Sequence, residues 1–364
     1  MFEKGADVSL MAAVSYSMAV CNEQSPHLLQ PNEVSAGDFS EACRAKSHGS
    51  ARTPMIASEN LPPSVRRGLR FLYDHQLPDG EFRTYASPTI DMRVTRYDSA
   101  IFVTTFVLYS IARIDHPCVA TMTNRAISFL TEEMVSPGLF QYYTSKNTLS
   151  IDFDLDDTAC ASVALERSHP PVMGGYNVES FMENRNEGDL FYSWVGVDAP
   201  ANDVDSIVNA NVVLYLGDRD ETKSACRYLI DTIKSGYVSE SYRYYFEDMI
   251  LYYAVSRAYA HGTSSLGEVR EALIENVLQF SKDDGSFGSE LATACAVCSL
   301  ANMGYDGVTR LRAAARYLEK QQRADGSWRR IGMYNQPGVC YGSEELTTAL
   351  CLEALIHAAG MWAD

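Results

Sequence analysis

The run Asp152-Phe153-Asp154-Leu155-Asp156-Asp157-Thr158-Ala159 sets four carboxylates within six positions. Charges of one sign that crowd to within a few ångström do not all ionise, so one site keeps its proton. Burial in an apolar pocket raises that pKa further, by up to roughly 3 to 5 units. The product is a carboxylic acid still protonated near neutral pH. Such a group can protonate a base as weak as an alkene, provided that its neighbours orient the proton and stabilise the carboxylate left behind. The apolar residues after Thr158 read as a helix, so the carboxylates stand at its N-terminal end. One acid suffices as a cap there, and the surplus argues for a use beyond capping.

The elements that must carry these acids repeat themselves from Leu61 onward. The clearest unit is Tyr317-Leu318, three residues, Gln322, three residues, Gly326, one residue, Trp328. Phe71-Leu72 leads to Gln76, Gly80 and Phe82 at the same spacing, Phe129-Leu130 leads to Met134, Gly138 and Phe140, and a weaker copy ends in Asp284-Gly285-Ser286-Phe287. Each unit reads as a helix stopped by a glycine in the left-handed conformation, followed by an aromatic that folds back and staples the helix to its neighbour.

A second series interleaves with the first: an acid, small or hydroxyl residues, then an apolar helix. Its acids are Asp98, Asp157, Asp205, Asp248, Glu290 and Glu345, each expected to cap the helix it precedes. Six apolar helices alternating with amphipathic ones predict an all-α fold, a single (α/α)6 barrel of inner and outer helices whose inner helix starts converge on one mouth. The segment Tyr176 to Trp194 is irregular and predicts a distorted second pair. Residues 1–55 read as an N-terminal extension packed on the barrel, and 56–364 as the barrel domain.

The balance of 30 basic against 47 acidic residues gives a net charge of -17, which repels nucleic-acid phosphates and anionic surfaces, so no nucleic-acid partner is expected. A diphosphate substrate needs a local cationic cluster, for which Arg93 with Arg96, or Arg329 with Arg330, are the candidates. The nine cysteines show no disulfide-framework spacing, and Cys295-x-x-Cys298 lies inside an apolar helical stretch, so reduced buried thiols are expected. Val8 to Cys21 is apolar but preceded by Glu3 and Asp7 and too short to span a bilayer, so the chain reads as soluble and cytoplasmic.

DLDDTA resembles the DxDDTA motif of class II terpene cyclases, and YLEKQQRADGSW resembles the QW repeat of the same superfamily. YGSEELTTALCLEAL is similar to the last inner helix of squalene-hopene cyclases. The resemblance spans about residue 60 to the end. In length and architecture the chain is similar to the monodomain meroterpenoid cyclases, which cyclise a geranylgeranyl chain carried on a dihydroxybenzoate. It implies that Asp156 is the proton donor, supported by Asp154 and Asp157, and that the substrate is a small-molecule polyprenyl compound, with an aromatic acid head group favoured and a diphosphate as the alternative. No metal or other cofactor is implied, except Mg2+ if the substrate carries a diphosphate. Peripheral membrane contact for uptake of so apolar a substrate is an open expectation, as is the oligomeric state. Class II cyclases mostly enclose their cavity between two barrels, and the closure of a pocket on one barrel is not explained by the resemblance.

A cavity that guides carbocations needs apolar walls and aromatic faces, which attract passing positive charge. Candidates near inner-helix starts are Tyr97, Phe102, Trp194, Tyr244, Tyr245, Phe246 and Tyr341, each equally able to serve as packing. Asn209 and Asn211 are unusual on an apolar inner helix. They bind a polar group of the substrate or satisfy backbone, and Asn209 is the candidate taken for binding.

Other readings are weaker. FDLDDT also resembles the opening motif of haloacid-dehalogenase-type phosphatases, with Asp154 as nucleophile, Asp156 as acid and Mg2+, but that motif ends a buried strand in a doubly wound fold. A calcium loop on Asp152, Asp154 and Asp156 fails because Asp157 holds the glycine position and Val163 the closing-glutamate position. A class I terpene synthase needs a DDxxD run and a downstream metal triad that the chain lacks. A zinc site like that of protein prenyltransferases needs a histidine at an inner-helix start, where none of the seven falls. The non-enzymatic alternative is a helical toroid that binds a lipid or a protein.

Overall fold

Helix character follows composition in the computed structural model, which describes residues 56–166 and 175–360. In chain order the α-helices are α1 (Pro63–His75), α2 (Phe102–Ile111), α3 (Pro117–Glu133), α4 (Leu155–Glu166), α5 (Val178–Glu183), α6 (Ser206–Leu216), α7 (Lys223–Ser235), α8 (Asp248–Ala260), α9 (Arg270–Leu278), α10 (Glu290–Asn302), α11 (Val308–Gln321) and α12 (Glu344–Gly360). The odd-numbered helices bury one stripe, as α1 does with Val65, Leu69 and Leu72 while Arg66 and Arg70 stay in water. The even-numbered helices are apolar on all sides, and every residue of α6 is buried. A helix with no polar face must be enclosed by other helices. Accordingly α2 packs on α4, α4 on α6, α6 on α8, α8 on α10, α10 on α12, and α12 returns to α2. The odd helices lie against this cycle, with α1 on α12, α3 on α2 and α4, α7 on α6, α9 on α8 and α10, and α11 on α10 and α12. The short α5 stands where the sequence is irregular, and the N-terminal extension lies outside the described residues.

The glycine-aromatic repeats are the joints between consecutive helices. Gln322 Nε2 donates to Gly326 O at 2.9 Å and to Ser64 O of α1 at 2.8 Å, and Gln76 Nε2 donates to Gly80 O at 3.0 Å and to Met122 O of α3 at 2.9 Å. Each glutamine thus closes its own turn and clamps the neighbouring odd helix. The aromatic that follows is buried, and its backbone N–H donates to a threonine hydroxyl on the next even helix. Phe82 reaches Thr104, Phe140 Thr158, Phe287 Thr293 and Trp328 Thr348, all at 3.0 to 3.1 Å. Gly80 and Gly326 sit at φ +103° and +92°, and a Cβ on Gly326 would fall 2.3 Å from Arg67 O. Glycine is required at both by conformation and by a close backbone approach, of α3 at Gly80 and of α1 at Gly326.

The expected acidic caps are corrected by the structure, except at Asp205, whose Oδ1 accepts from Ile207 N at 2.7 Å and Val208 N at 3.1 Å. Asp157 lies inside α4, and Asp154 accepts its N–H at 2.7 Å. Serine hydroxyls, Ser289 and Ser343, cap α10 and α12. Glu290 instead pairs with Arg329 at 2.6 Å, Asp248 accepts from Tyr242 at 2.7 Å, and Asp98 accepts from Asn147 at 2.6 Å.

The helical frame also carries strands that the all-α reading omits. These are β1 (Ile56–Ala57), β2 (Tyr85–Ser87), β3 (Arg96–Tyr97), β4 (Ile114–Asp115), β5 (Tyr334–Gln336) and β6 (Val339–Gly342). β1 pairs parallel with β4, while β3, β2, β6 and β5 form an antiparallel sheet in that order, with Ala86 opposite Tyr341 and Tyr334 opposite Tyr341. Strands of two to four residues leave no alternating pattern to read. β2 and β6 come from opposite ends of the described chain, so their pairing is a tertiary event.

Candidate active site

Asp154 is fixed before its neighbours because the segment around it is paired. Leu155 N donates to Ser193 O at 2.9 Å and Val195 N to Phe153 O at 2.8 Å, which lays residues 153–155 antiparallel to 193–195. α4 then starts at Leu155, and the side chain of Asp156 meets α6 and the loop before α8. Its Oδ1 accepts from Asn211 Nδ2 at 2.6 Å, and its Oδ2 accepts from the Tyr245 hydroxyl. Asp154 and Asp157 are buried, Asp156 is partly buried, and Asp152 is exposed and apart from them.

Burial raises the pKa of all three inner aspartates. Asp154 and Asp157 hydrogen-bond to each other and titrate as a pair: burial raises both, and each carboxylate disfavours ionisation of the other. For Asp156 the rise from burial is opposed by the hydrogen bonds from Tyr245 and Asn211 and by the positive charge of Arg257. This is the balance required of a strong but still protonated acid. Burial favours keeping the proton, and the donors lower the cost of the carboxylate that remains once it leaves.

These acids face a pocket, partly open to solvent, whose walls include Phe102, Tyr142, Trp194, Tyr244, Tyr245, Tyr334 and Tyr341. The rings support one another. Phe102 meets Tyr334 edge-on at 4.9 Å, Tyr142 meets Tyr341 at 5.2 Å, and Tyr334 stacks on Tyr341 at 5.6 Å. Trp194 Nε1 donates to Tyr244 Oη at 2.8 Å, and Tyr244 donates to Asp203 Oδ2 at 2.6 Å, so both hydroxyl and indole are satisfied within the protein. One wall is the β5–β6 hairpin, which contributes Tyr334, Asn335, Gln336 and Tyr341. It is anchored by Asn335 N donating to Tyr244 O at 2.8 Å.

Of the residues singled out in the sequence, Asp154, Asp156, Asp157, Phe102, Trp194, Tyr244, Tyr245 and Tyr341 line this pocket, whereas Tyr97, Phe246 and Asn209 do not. Tyr97 is 45 % exposed on β3 and donates to Glu81 at 2.8 Å. Asn209 is fully buried with its carboxamide consumed by backbone: Nδ2 donates to Phe191 O and Asp205 O, and Oδ1 accepts from Phe191 N. Two residues on, Asn211 points the other way, at Asp156. The residues missed are Tyr142, Tyr334, Asn335, Gln336, Ser193, Val208 and, behind the wall, Arg257. Two signals for them stood in the sequence. Asn335-Gln336-Pro337-Gly338 is a turn signature between short extended runs, and Arg257 is the lone basic residue in the apolar run ILYYAVSRAYA.

The arginines considered for a diphosphate are otherwise engaged. Arg93 pairs with Asp91, Arg96 with Asp98, Arg329 with Glu290 and Arg330 with Glu344, and none lines the pocket. Among the described residues one group of His, Cys and acidic side chains is close enough to hold a metal, namely Cys298, Glu353 and His357. It lies away from the pocket, toward the C-terminal ends of α10 and α12, and Arg113 hydrogen-bonds the His357 ring. The cysteines Cys295, Cys298 and Cys351 are buried free thiols, and no helix among the described residues is long and apolar enough to cross a membrane.

No family model matches the chain, and no curated protein matches its sequence. Solved structures do match. The type II terpene cyclase MstE from Scytonema, without ligand, superposes with a TM-score of 0.67 at 17% identity, over 83% of this chain and 99% of its own. A variant of MstE in complex with geranylgeranyl dihydroxybenzoate as substrate gives 0.66 at 17% identity, over 83% and 98%. A further variant in complex with merosterolic acid A as product gives 0.65 at 17% identity, over the same shares. At these identities the likeness is one of fold, and this chain has the fold of the type II terpene cyclase MstE over almost the whole of that enzyme.

Proposed function

We propose that the chain is a monodomain class II terpene cyclase, an isomerase that folds a linear polyprenyl chain, carried on an aromatic acid head group, into a polycyclic meroterpenoid. Asp156 transfers its proton to the terminal double bond, ring closures follow as each alkene attacks the cation formed before it, and release of one proton ends the cascade with no net change in atoms. The observation that carries this reading is the Asp156 carboxyl, hydrogen-bonded through both oxygens and opening into a pocket walled by seven aromatic rings. Asp154 and Asp157 hold the start of α4 and support the donor, and the rings of Phe102, Tyr334 and Tyr341 shield the cation from water and attract it. Two concentric sets of helices, the even within the odd, make the architecture we propose an (α/α)6 barrel, with residues 56–364 as the cyclase domain. The paired state of Arg93, Arg96, Arg329 and Arg330 supports a substrate without a diphosphate, and hence no need for Mg2+. The fold shared with MstE, whose substrate complex holds geranylgeranyl dihydroxybenzoate, makes that compound the first to test.

The test is incubation with geranylgeranyl dihydroxybenzoate and, separately, geranylgeranyl diphosphate, with and without chelator, beside Asp156→Asn. A cyclic isomer of unchanged mass from the benzoate, insensitive to chelator and lost in the variant, is the expected result. Recovery of both compounds intact counts against the reading and favours a binding toroid, and released phosphate favours a phosphatase.

A further inference from the structure

Arg257 is 2 % exposed, and its guanidinium lies 4.7 Å from the ring centres of Phe106 and Tyr109 and 5.3 Å from that of Tyr253. No carboxylate of the described residues lies within ion-pairing distance of it, and its Nε has no hydrogen-bond partner. A buried charge stabilised mainly by aromatic faces is costly, and its polar contacts are with two atoms: Asn211 Oδ1, which accepts from Nη2, and the Cys160 sulfur, 3.8 Å from the same nitrogen. Asn211 Nδ2 then donates to Asp156 Oδ1.

The direction of this chain is set by chemistry. A guanidinium only donates, so it takes the oxygen end of the carboxamide, and Asn211 must turn its N–H toward Asp156. A carboxyl oxygen that accepts such a bond is the carbonyl oxygen of the protonated acid, because the hydroxyl oxygen is the poorer acceptor. The Tyr245 hydroxyl donates to Oδ2 of the carboxylate and accepts from it when that oxygen carries the proton, since a phenol does both.

We propose that Arg257 is a positioning residue: acting through Asn211, it confines the transferable proton of Asp156 to Oδ2, on the Tyr245 side, and stabilises the carboxylate formed when that proton leaves. The inference rests on the reading of Asp156 as the acid. The other titratable groups that face Asp156 are Asp154, Asp157 and Cys160 on its own segment, Asp205 at the start of α6, and Tyr245 before α8. None of the acids among them supplies positive charge, so the cationic contribution is that of Arg257.

The test follows carboxyl-13C-aspartate resonances through a pH titration, with Asp156 assigned from Asp156→Asn, in the wild type and in Arg257→Met, Arg257→Lys and Asn211→Leu, each checked for folding by circular dichroism. Arg257→Met and Asn211→Leu are expected to move the Asp156 titration upward by about one pH unit, and Arg257→Lys by less. In the cyclisation assay the same variants lower kcat about tenfold with KM little changed. An Asp156 titration unmoved in the folded variants overturns the proposal, even if activity falls. A measurement on the wild type needs no variant: the Asn211 side-chain N–H resonance must follow the Asp156 titration, and a resonance flat with pH refutes the relay. If the shifts appear but the wild type yields no cyclic product, the cyclase reading fails and the positioning inference stands.

Discussion

Two carboxyl groups, a partly buried one on α4 and a buried one on α12, flank Arg257 and are built alike, yet only one opens onto space. Asp156 accepts from Tyr245 and Asn211 at the pocket. Glu353, on α12, accepts from Tyr253 and Ser110, both at 2.8 Å, and lines no described pocket. Burial raises the pKa of each, and two side-chain donors and the Arg257 charge lower it. The difference between them is access. A tuned acid surrounded by protein has nothing to protonate, so it serves as a hydrogen-bonding post, whereas the same chemistry at a cavity wall is poised for reaction.

The largest expected contrast is between Asp156→Asn and Glu353→Gln. The first removes cyclisation by more than about 10³-fold with the melting temperature retained, as loss of a general acid requires. The second leaves turnover close to wild type and lowers stability by about 1 kcal/mol, because one acceptor of a buried network weakens. Parallel turnover assays and thermal melts decide it, and equal loss of activity in both variants breaks the comparison. A smaller contrast follows from the tyrosines that donate to the two acids. Tyr245→Phe is expected to slow turnover about tenfold, the equivalent of one lost charge-assisted bond, and to shift the alkaline limb of the pH–rate profile upward. Tyr253→Phe leaves that limb in place. The wild-type rate itself falls as pH rises through the raised pKa of Asp156, because the protonated form is the reactive one.

Smaller again is the effect of thinning the aromatic wall. Phe102→Leu keeps an apolar side chain but removes a ring beside Tyr334 and is expected to reduce turnover about fivefold, the worth of one cation–π contact, with water-quenched alcohols appearing in the product profile. The least effect belongs to pH and stability. Burial pushes Asp205 and Glu345, at the starts of α6 and α12, up to about 7 from ordinary values of 3.8 and 4.5. The folded protein therefore binds more protons than the unfolded chain between those values, and the stability that these groups contribute is lost as pH rises from about 4 to about 7. Glu345→Gln is expected to flatten that fall in melting temperature. A slope unchanged in the variant places its origin elsewhere.

Much of the site was legible because it is local. Asp154, Asp156 and Asp157 lie within four positions, and the helix signal after them fixes where they stand. The repeats were legible for the same reason, since Gln, Gly and aromatic residue all belong to one turn, although the threonine that each aromatic engages on the next even helix has no signal of its own. Asn209 and Asn211 show the limit. Both are amides on one apolar helix, two positions apart, and their sequence surroundings do not separate the one spent on the Phe191 backbone from the one bound to Asp156. On a helix a two-residue step turns the side chain about 200°, so what each meets depends on which neighbouring elements occupy those two directions.

The sequence by itself determined the alternation of enclosed and amphipathic helices, the glycine turns that join them, and the acid cluster at the start of one enclosed helix, because each is written in the spacing of nearby residues. Only the tertiary structure decided which acid faces the cavity, that Arg257 stands behind it, and that the hairpin of β5 and β6, paired with β2, completes the wall. Those outcomes depend on contacts between segments up to about 250 residues apart, and contacts of that range are set by how helices pack in a cycle, a property that no local pattern encodes.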